Sequence, residues 1–251
     1  MALEKPKTAK DKIILALDVD NLEEVEKIVK ELKDYVGFFK VGLQLYSSCG
    51  YKAVKIIKEN GGKVFFDAKF HDIPNTVAKA SVNLLKNSIN FFSVHIQGGS
   101  KMLSTTVKLT REYAKRNNLE APTILGVTLL SSFGQRTLTE ELSVHINIDE
   151  YVANLTQIAI ASGINGVFAS SVEARKIREK TDSDFIIMCP AVRPTWSCVN
   201  DQVRVLTPKM AVEYGVDYMI VGRPILSEEN KIAAASMIID EIEEALKLEA
   251  Y

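Results

Sequence analysis

The sequence predicts a (β/α)8 barrel, an α/β fold, and three observations carry that prediction. Short, continuously apolar runs alternate eight times with stretches of helical period. Glycines fall where helices return to strands, at Gly37, Gly61, Gly62, Gly163 and Gly215. Charged and hydroxyl residues gather just past the C-terminal ends of the apolar runs. Strands that short and that uniformly apolar are buried on both faces, as in a parallel sheet. Eight βα units in series close into a barrel, whose working face lies at the strand C-termini. An open doubly wound sheet shares the alternation, but no GxGxxG follows the first run and no GxxxxGK[ST] occurs anywhere.

In order, the first strand is expected at Ile13–Leu17, followed by an amphipathic helix over Leu22–Leu32. Phe38–Val41 is the second strand, with a helix over Tyr51–Lys58. Val64–Ala68 is the third, with a helix from Pro74 to Lys86, where proline suits the first helical turn. Phe91–His95 is the fourth, before a long helix from Ser100 to Arg116. Thr123–Val127 is the fifth, with its helix at Tyr151–Ala161. Val167–Ala169 is the sixth, with Val172–Glu179 behind it. Phe185–Cys189 is the seventh, with a helix over Pro208–Tyr214. Tyr218–Val221 is the eighth, and Ala233–Leu248 is the last helix. Two connections are long, Ser131–Asp149 and Ala191–Thr207, and long loops at a barrel's active face are commonly lids or ligand grips. The first of them, with SSFGQRTLTEEL, has room for a short extra helix.

At 251 residues, 47% hydrophobic and 25% charged, the chain matches a single globular barrel domain spanning 1–251. The net charge of −1, with dispersed basic residues, points to neither nucleic acid nor a membrane surface. No apolar run approaches the roughly 20 residues of a membrane span. Three cysteines (Cys49, Cys189 and Cys198) without a CxxC pair argue against a disulfide framework or zinc site and fit a reducing cytoplasm. The polar start, MALEKPKTAKDK, lacks the apolar core of a signal peptide and is expected to be a loose leader over residues 1–12.

The stretch Val64–Thr76, VFFDAKFHDIPNT, holds the densest chemistry. Strand alternation puts Asp67 and Lys69 on one face, with Cα atoms roughly 7 Å apart. An acid and an amine at the inner end of a buried strand cost desolvation free energy, which a fold tolerates when they pair or do chemistry. From spacing alone, a structural ion pair with Asp72 as a helix cap is the slightly favoured reading. The other strand ends add Asp18, Lys40, His95, Thr128, Arg193 and the pair Gly222–Arg223. A glycine–arginine turn after the last strand can hold a phosphate through backbone N–H groups and a guanidinium fork. Gln202 could donate an amide N–H to the same phosphate, though by itself it reads as a surface glutamine. Asp18 can accept hydrogen bonds from sugar hydroxyls, and Lys40 can join a charge network with Asp67. Ser131 and Ser132 can hydrogen-bond a ring amide. His71, His95 and His145 show no metal-ligand spacing.

The string DAKFHDIPNT closely resembles the signature of the orotidine 5′-phosphate decarboxylases. The segments ALDVD, KVG, VHIQGG, VTLLSS, VRP, DQVRVLTP and VGRP occur in that family's order and approximate spacing, so the resemblance spans nearly the whole chain and looks like the bacterial single-domain form. Where the family usually shows P-G-I-R after strand seven, this chain has Pro190-Ala191-Val192-Arg193, and a family threonine is replaced by Ser131. The resemblance implies a metal- and cofactor-free homodimer that converts orotidine 5′-phosphate to uridine 5′-phosphate and carbon dioxide, completing pyrimidine-nucleotide synthesis. It implies that Lys69 protonates the ring carbon losing carboxylate, flanked by Asp67 and Asp72, with Lys40 completing an alternating array. It further implies substrate contacts from Asp18, Ile73, Pro74, Thr76, Ser131, Ser132, Arg193, Gln202, Gly222 and Arg223, with Asp72, Ile73 and Thr76 entering the neighbouring subunit's site. Two other functions share parts of the pattern: a metal-dependent sugar-phosphate enzyme on a related barrel, and a nucleotide sensor without catalysis.

Overall fold

A computed structural model describes residues 5–197 and 206–249. Its strands are β1 (Ile13–Ala16), β2 (Phe38–Gly42), β3 (Val64–Phe70), β4 (Phe91–His95), β5 (Thr123–Val127), β6 (Gly166–Phe168), β7 (Ile186–Cys189) and β8 (Tyr218–Val221). They pair in sequence order, all parallel, and β1 pairs β8 to close the barrel. The helices are α1 (Leu22–Leu32), α2 (Leu43–Cys49), α3 (Tyr51–Glu59), α4 (Pro74–Lys86), α5 (Gly99–Arg116), α6 (Ile148–Ala161), α7 (Ser171–Arg178), α8 (Pro208–Glu213), α9 (Arg223–Leu226) and α10 (Lys231–Glu249). The fold is the (β/α)8 barrel that the alternation predicts.

Two apolar cores follow from strand alternation. Outward-facing strand residues such as Leu15, Phe39, Val41, Phe66 and Phe92 pack under the helices. Inward-facing residues, among them Ile14, Phe38, Phe65, Phe91, Leu125, Phe168, Met188 and Tyr218, fill the barrel. Phe38, Phe91 and Tyr218 meet edge to face, with centroids 4.7, 5.8 and 5.1 Å apart, so the floor beneath the mouth is dry and stiff. Helix starts follow their side chains: Asn21 and Asn147 each accept a backbone N–H two to three residues into α1 and α6, a contribution of about 1 kcal/mol apiece. Gly37 must be glycine, because a Cβ there would lie 2.6 Å from the Asp11 carbonyl oxygen.

The structure refines the sequence reading in several places. Helix α2 follows Gly42 with no loop and buries only Leu45, so it carries almost no amphipathic signal. Strand β3 runs on to Phe70. The long connection after β5 contains one π-helical turn, Thr137–Glu141, in the segment expected to hold a short helix. The leader is docked from Lys5 onward: Ala9 is buried, and the Lys5 ammonium lies 2.7 Å from Asp217. Asp217, just before β8, also accepts from Arg178 at 2.6 Å and from the Ile187 N–H at 2.8 Å. That buried carboxylate ties the leader, α7, β7 and β8 together at the end of the barrel opposite the mouth.

Candidate active site

The site is built on an irregularity in β3. Register runs Phe65 to Phe91 and Phe66 to Phe92, then resumes at Phe70 to Val94. Four steps on β3 therefore oppose two on β4, so two extra residues are inserted. Such a bulge re-aims side chains, and here it carries Asp67, Ala68 and Lys69. Lys69 takes a left-handed backbone, φ +50°, which costs a non-glycine residue roughly 1–2 kcal/mol. Its ammonium lies 2.8 Å from Asp67 Oδ2 and 5.9 Å from the centroid of the Phe168 ring. Asp67 is 4% exposed. Its other oxygen, Oδ1, accepts from the Ser93 hydroxyl at 2.8 Å, and Ser93 Oγ accepts the Lys69 backbone N–H at 2.9 Å.

A second lysine sits one strand away. Lys40, on β2 and 9% exposed, points its ammonium at Asp18 Oδ1, 3.3 Å away. The sequence reading joins Lys40 to Asp67; the structure instead pairs it with Asp18, since the bulge gives Asp67 its own lysine. Two acid–lysine pairs thus line the mouth side by side. Gly222 faces the same space: a Cβ there would stand 3.6 Å from Asp18 Oδ2. Arg223 opens α9, exposed, with Pro224 behind it in the helix's first turn.

On the opposite wall a cavity of about 820 Å³ is lined by Leu130, Ser131, Phe168, Pro190 and Ala191 among others. Phe168 forms part of this wall and also underlies the Lys69 ammonium. Ser131 and Ser132 are both exposed, and only Ser131 lines the cavity. His95 Nδ1 lies 3.2 Å from Gln97 Oε1, and Gln97 in turn donates its amide to the Thr128 carbonyl. Burial holds the His95 imidazole below its ordinary pKa, a shift that Gln97 and Asp67 oppose and His71 and Lys69 assist. Burial also pushes the Cys189 thiol up, which makes it a poor nucleophile.

Asp72 stands apart from both pairs. It is exposed, and its carboxylate accepts the Ile73 N–H at 2.6 Å, next to the start of α4 at Pro74. Ile73 is 67% exposed, and Thr76 is exposed on the same turn. The Arg193 N–H donates to the Leu206 carbonyl at 2.9 Å, joining the two stems of the connection after β7. Gln202 and Cys198 lie outside the described residues. The sequence reading missed Ser93 and Gln97. For Ser93 the signal is a lone hydroxyl in the apolar string FFSVH, at the inward register of Phe91 and His95; for Gln97 the sequence carries none.

Barrel closure, paired acids and lysines at the strand C-termini and a glycine–arginine turn after β8 define a (β/α)8-barrel enzyme. The family model of the orotidine 5′-phosphate decarboxylases and the HUMPS proteins matches residues 11–238, and the chain belongs to that family. It is 44% identical over 235 residues to the orotidine 5′-phosphate decarboxylase of Moorella thermoacetica, covering 94% of this chain and 93% of the relative. It is 41% identical over 238 residues to that of Heliobacterium modesticaldum, covering 95% and 98%. Among solved structures, the orotidine 5′-phosphate decarboxylase of Lactobacillus acidophilus superposes with a TM-score of 0.81 at 34% identity, over 95% of this chain and 99% of that one.

Proposed function

We propose that the chain, a single-domain enzyme, decarboxylates orotidine 5′-phosphate to uridine 5′-phosphate and carbon dioxide, the last step of pyrimidine-nucleotide synthesis, with Lys69 as proton donor and no cofactor. Family membership and the full-length relatives of that name support the reaction. The observation that carries the residue assignment is the Lys69–Asp67 pair at 2.8 Å, seated on a dry floor at the barrel mouth.

When the bond from the ring to its carboxylate breaks, the electron pair stays on the ring carbon and carbon dioxide leaves. The charge must be met by fixed groups of the protein, in a setting where they do not reorganise. The Lys69 ammonium meets it, gives the carbon a proton, and regains one from solvent. Asp67, held beside the departing carboxylate, holds the ammonium in place. Lys40 and Asp18 fit the ribose hydroxyls, as donor and acceptor. Gly222 and Arg223 fit the phosphate, the family resemblance adds Arg193 and Gln202 as substrate contacts, and Ser131 and Ser132 fit the ring amide. Phosphate binding, remote from the bond that breaks, supplies binding energy that orders this array.

The exposed Ile73 and Thr76, and an Asp72 that bonds neither Lys69 nor Asp67, fit a homodimer in which these residues complete the neighbour's site. An apolar groove of about 690 Å³ lined by Leu43, Tyr51, Phe70 and Ala80 supports burial against a second copy. Among the described residues no helix is long and apolar enough to cross a membrane. The net charge of −1 supports an enzyme that binds neither a membrane surface nor nucleic acid, and three cysteines without a CxxC pair support a cytoplasmic one.

The test is to mix purified protein with orotidine 5′-phosphate in a chelator and follow ultraviolet absorbance, with Lys69→Ala alongside. Turnover by the native protein and none by the variant is the expected result. Activity abolished by the chelator, or retained by Lys69→Ala, would overturn the mechanism.

A further inference from the structure

We infer that Ser93 is a positioning residue for this reaction: its hydroxyl clamps the Asp67–Lys69 pair into the geometry that the proton transfer uses. The inference rests on the roles proposed above for Asp67 and Lys69.

Ser93 is 1% exposed, inside a barrel whose neighbouring inward residues are Phe91, Leu125 and Phe168. A hydroxyl buried there costs free energy unless it is bonded. It is bonded twice, and both partners lie on the bulge. The hydroxyl proton goes to Asp67 Oδ1, at 2.8 Å, and the oxygen accepts the Lys69 N–H, at 2.9 Å.

Each bond replaces something the bulge removes. The register shift between Phe66 and Phe70 breaks the β3–β4 ladder where the Lys69 N–H would otherwise find a backbone acceptor. Ser93 Oγ supplies the acceptor and so holds Lys69 in its left-handed conformation. The bond to Oδ1 fixes the rotation of the Asp67 carboxylate and leaves Oδ2 facing the Lys69 ammonium. Backbone of the proton donor and side chain of its partner are therefore tied to one atom on the next strand. Without that hydroxyl, the carboxylate is free to turn and the ammonium loses its fixed place. Ground-state binding, made by the ribose and phosphate contacts, is left intact. The expected signature is a loss in kcat with little change in KM.

The experiment compares Ser93→Thr with Ser93→Val. Both add a methyl-sized branch in the same place, and only threonine keeps the hydroxyl. Turnover per folded, nucleotide-binding site is measured, with uridine 5′-phosphate affinity and thermal midpoint alongside. We expect Ser93→Val to lose at least about 10-fold in kcat relative to Ser93→Thr, with KM and product affinity within about threefold. Equal kcat for the two would overturn the clamp. Should the added methyl prevent either from folding, Ser93→Ala, which adds no atoms, takes their place. A wild-type kcat in Ser93→Ala overturns the inference, and a drop in kcat at constant KM supports it. Failure of the proposed reaction shows separately, in the native protein or in Lys69→Ala.

Discussion

Lys69 and Asp67 face each other at 2.8 Å, yet their surroundings differ: the lysine side chain is 30% exposed and the acid 5%. Loss of either partner therefore has unequal costs. Lys69→Ala leaves a buried carboxylate with the Ser93 hydroxyl as its remaining donor among the described residues, and should cost about 1–3 kcal/mol of stability. Asp67→Asn leaves a lysine that water can reach, and should cost less than about 1 kcal/mol. Urea unfolding of the two variants measures the difference. Equal losses would mean that Asp67 finds another partner once Lys69 is gone.

Ala191 takes φ +57° in the turn after β7. The resembling family has glycine at this point, and glycine adopts that conformation without the Cβ penalty. Ala191 is exposed, so Ala191→Gly forfeits no packing. The variant should gain roughly 1 kcal/mol in a denaturant midpoint experiment, offset in part by the greater freedom of the unfolded chain. A loss of stability would show that the turn relaxes around alanine.

His95 carries a pH dependence whose sign follows from its burial. Its folded pKa lies below the ordinary 6.5, so between the two values the unfolded chain binds more protons. Stability from this residue is complete above about pH 6.5 and is lost as pH falls through the lower folded value. Groups facing the ring are His71, Lys69, Asp67 and Gln97. Unfolding midpoints measured from pH 5 to 7.5 should fall more steeply on acidification in the native protein than in His95→Gln. Parallel curves would assign the slope to other groups.

Arg223 stands at the start of α9, beyond the strand that ends at Val221. If its guanidinium holds the phosphate, Arg223→Ala removes a charged hydrogen bond worth about 1.5–3 kcal/mol, or roughly 10- to 150-fold in kcat/KM. A soluble guanidinium salt added to the assay should recover part of it only if the lost guanidinium contact is the cause. An unchanged kcat/KM would move the phosphate elsewhere on the mouth.

Much of this architecture is legible in the residues themselves. Eight apolar runs between amphipathic helices predict the barrel, and the charged strand ends predict which face carries the chemistry. Pairing of the charges is less legible. Asp67 and Lys69 meet because a two-residue insertion re-aims the strand, and nothing in VFFDAKF marks where the ladder breaks. Lys40 finds Asp18 because β1 and β2 are neighbours in a staggered sheet, and that stagger is a property of closure and of no single segment. Ser93 looks like an interruption in an apolar strand until the adjacent bulge supplies its partners.

Closure of the barrel has a consequence for how the chain is made. Ile13 pairs with Met219, 206 positions later. While a ribosome is still synthesising the middle of the protein, β1 has no second neighbour, and the most recently made strand has none either. Those open edges can template pairing with other chains until Tyr218–Val221 emerges. The contact that removes them is also the most expensive in loop entropy and so the slowest to form. The acid–lysine pair on β3 is synthesised early, but the rigid enclosure around it waits for the eighth strand.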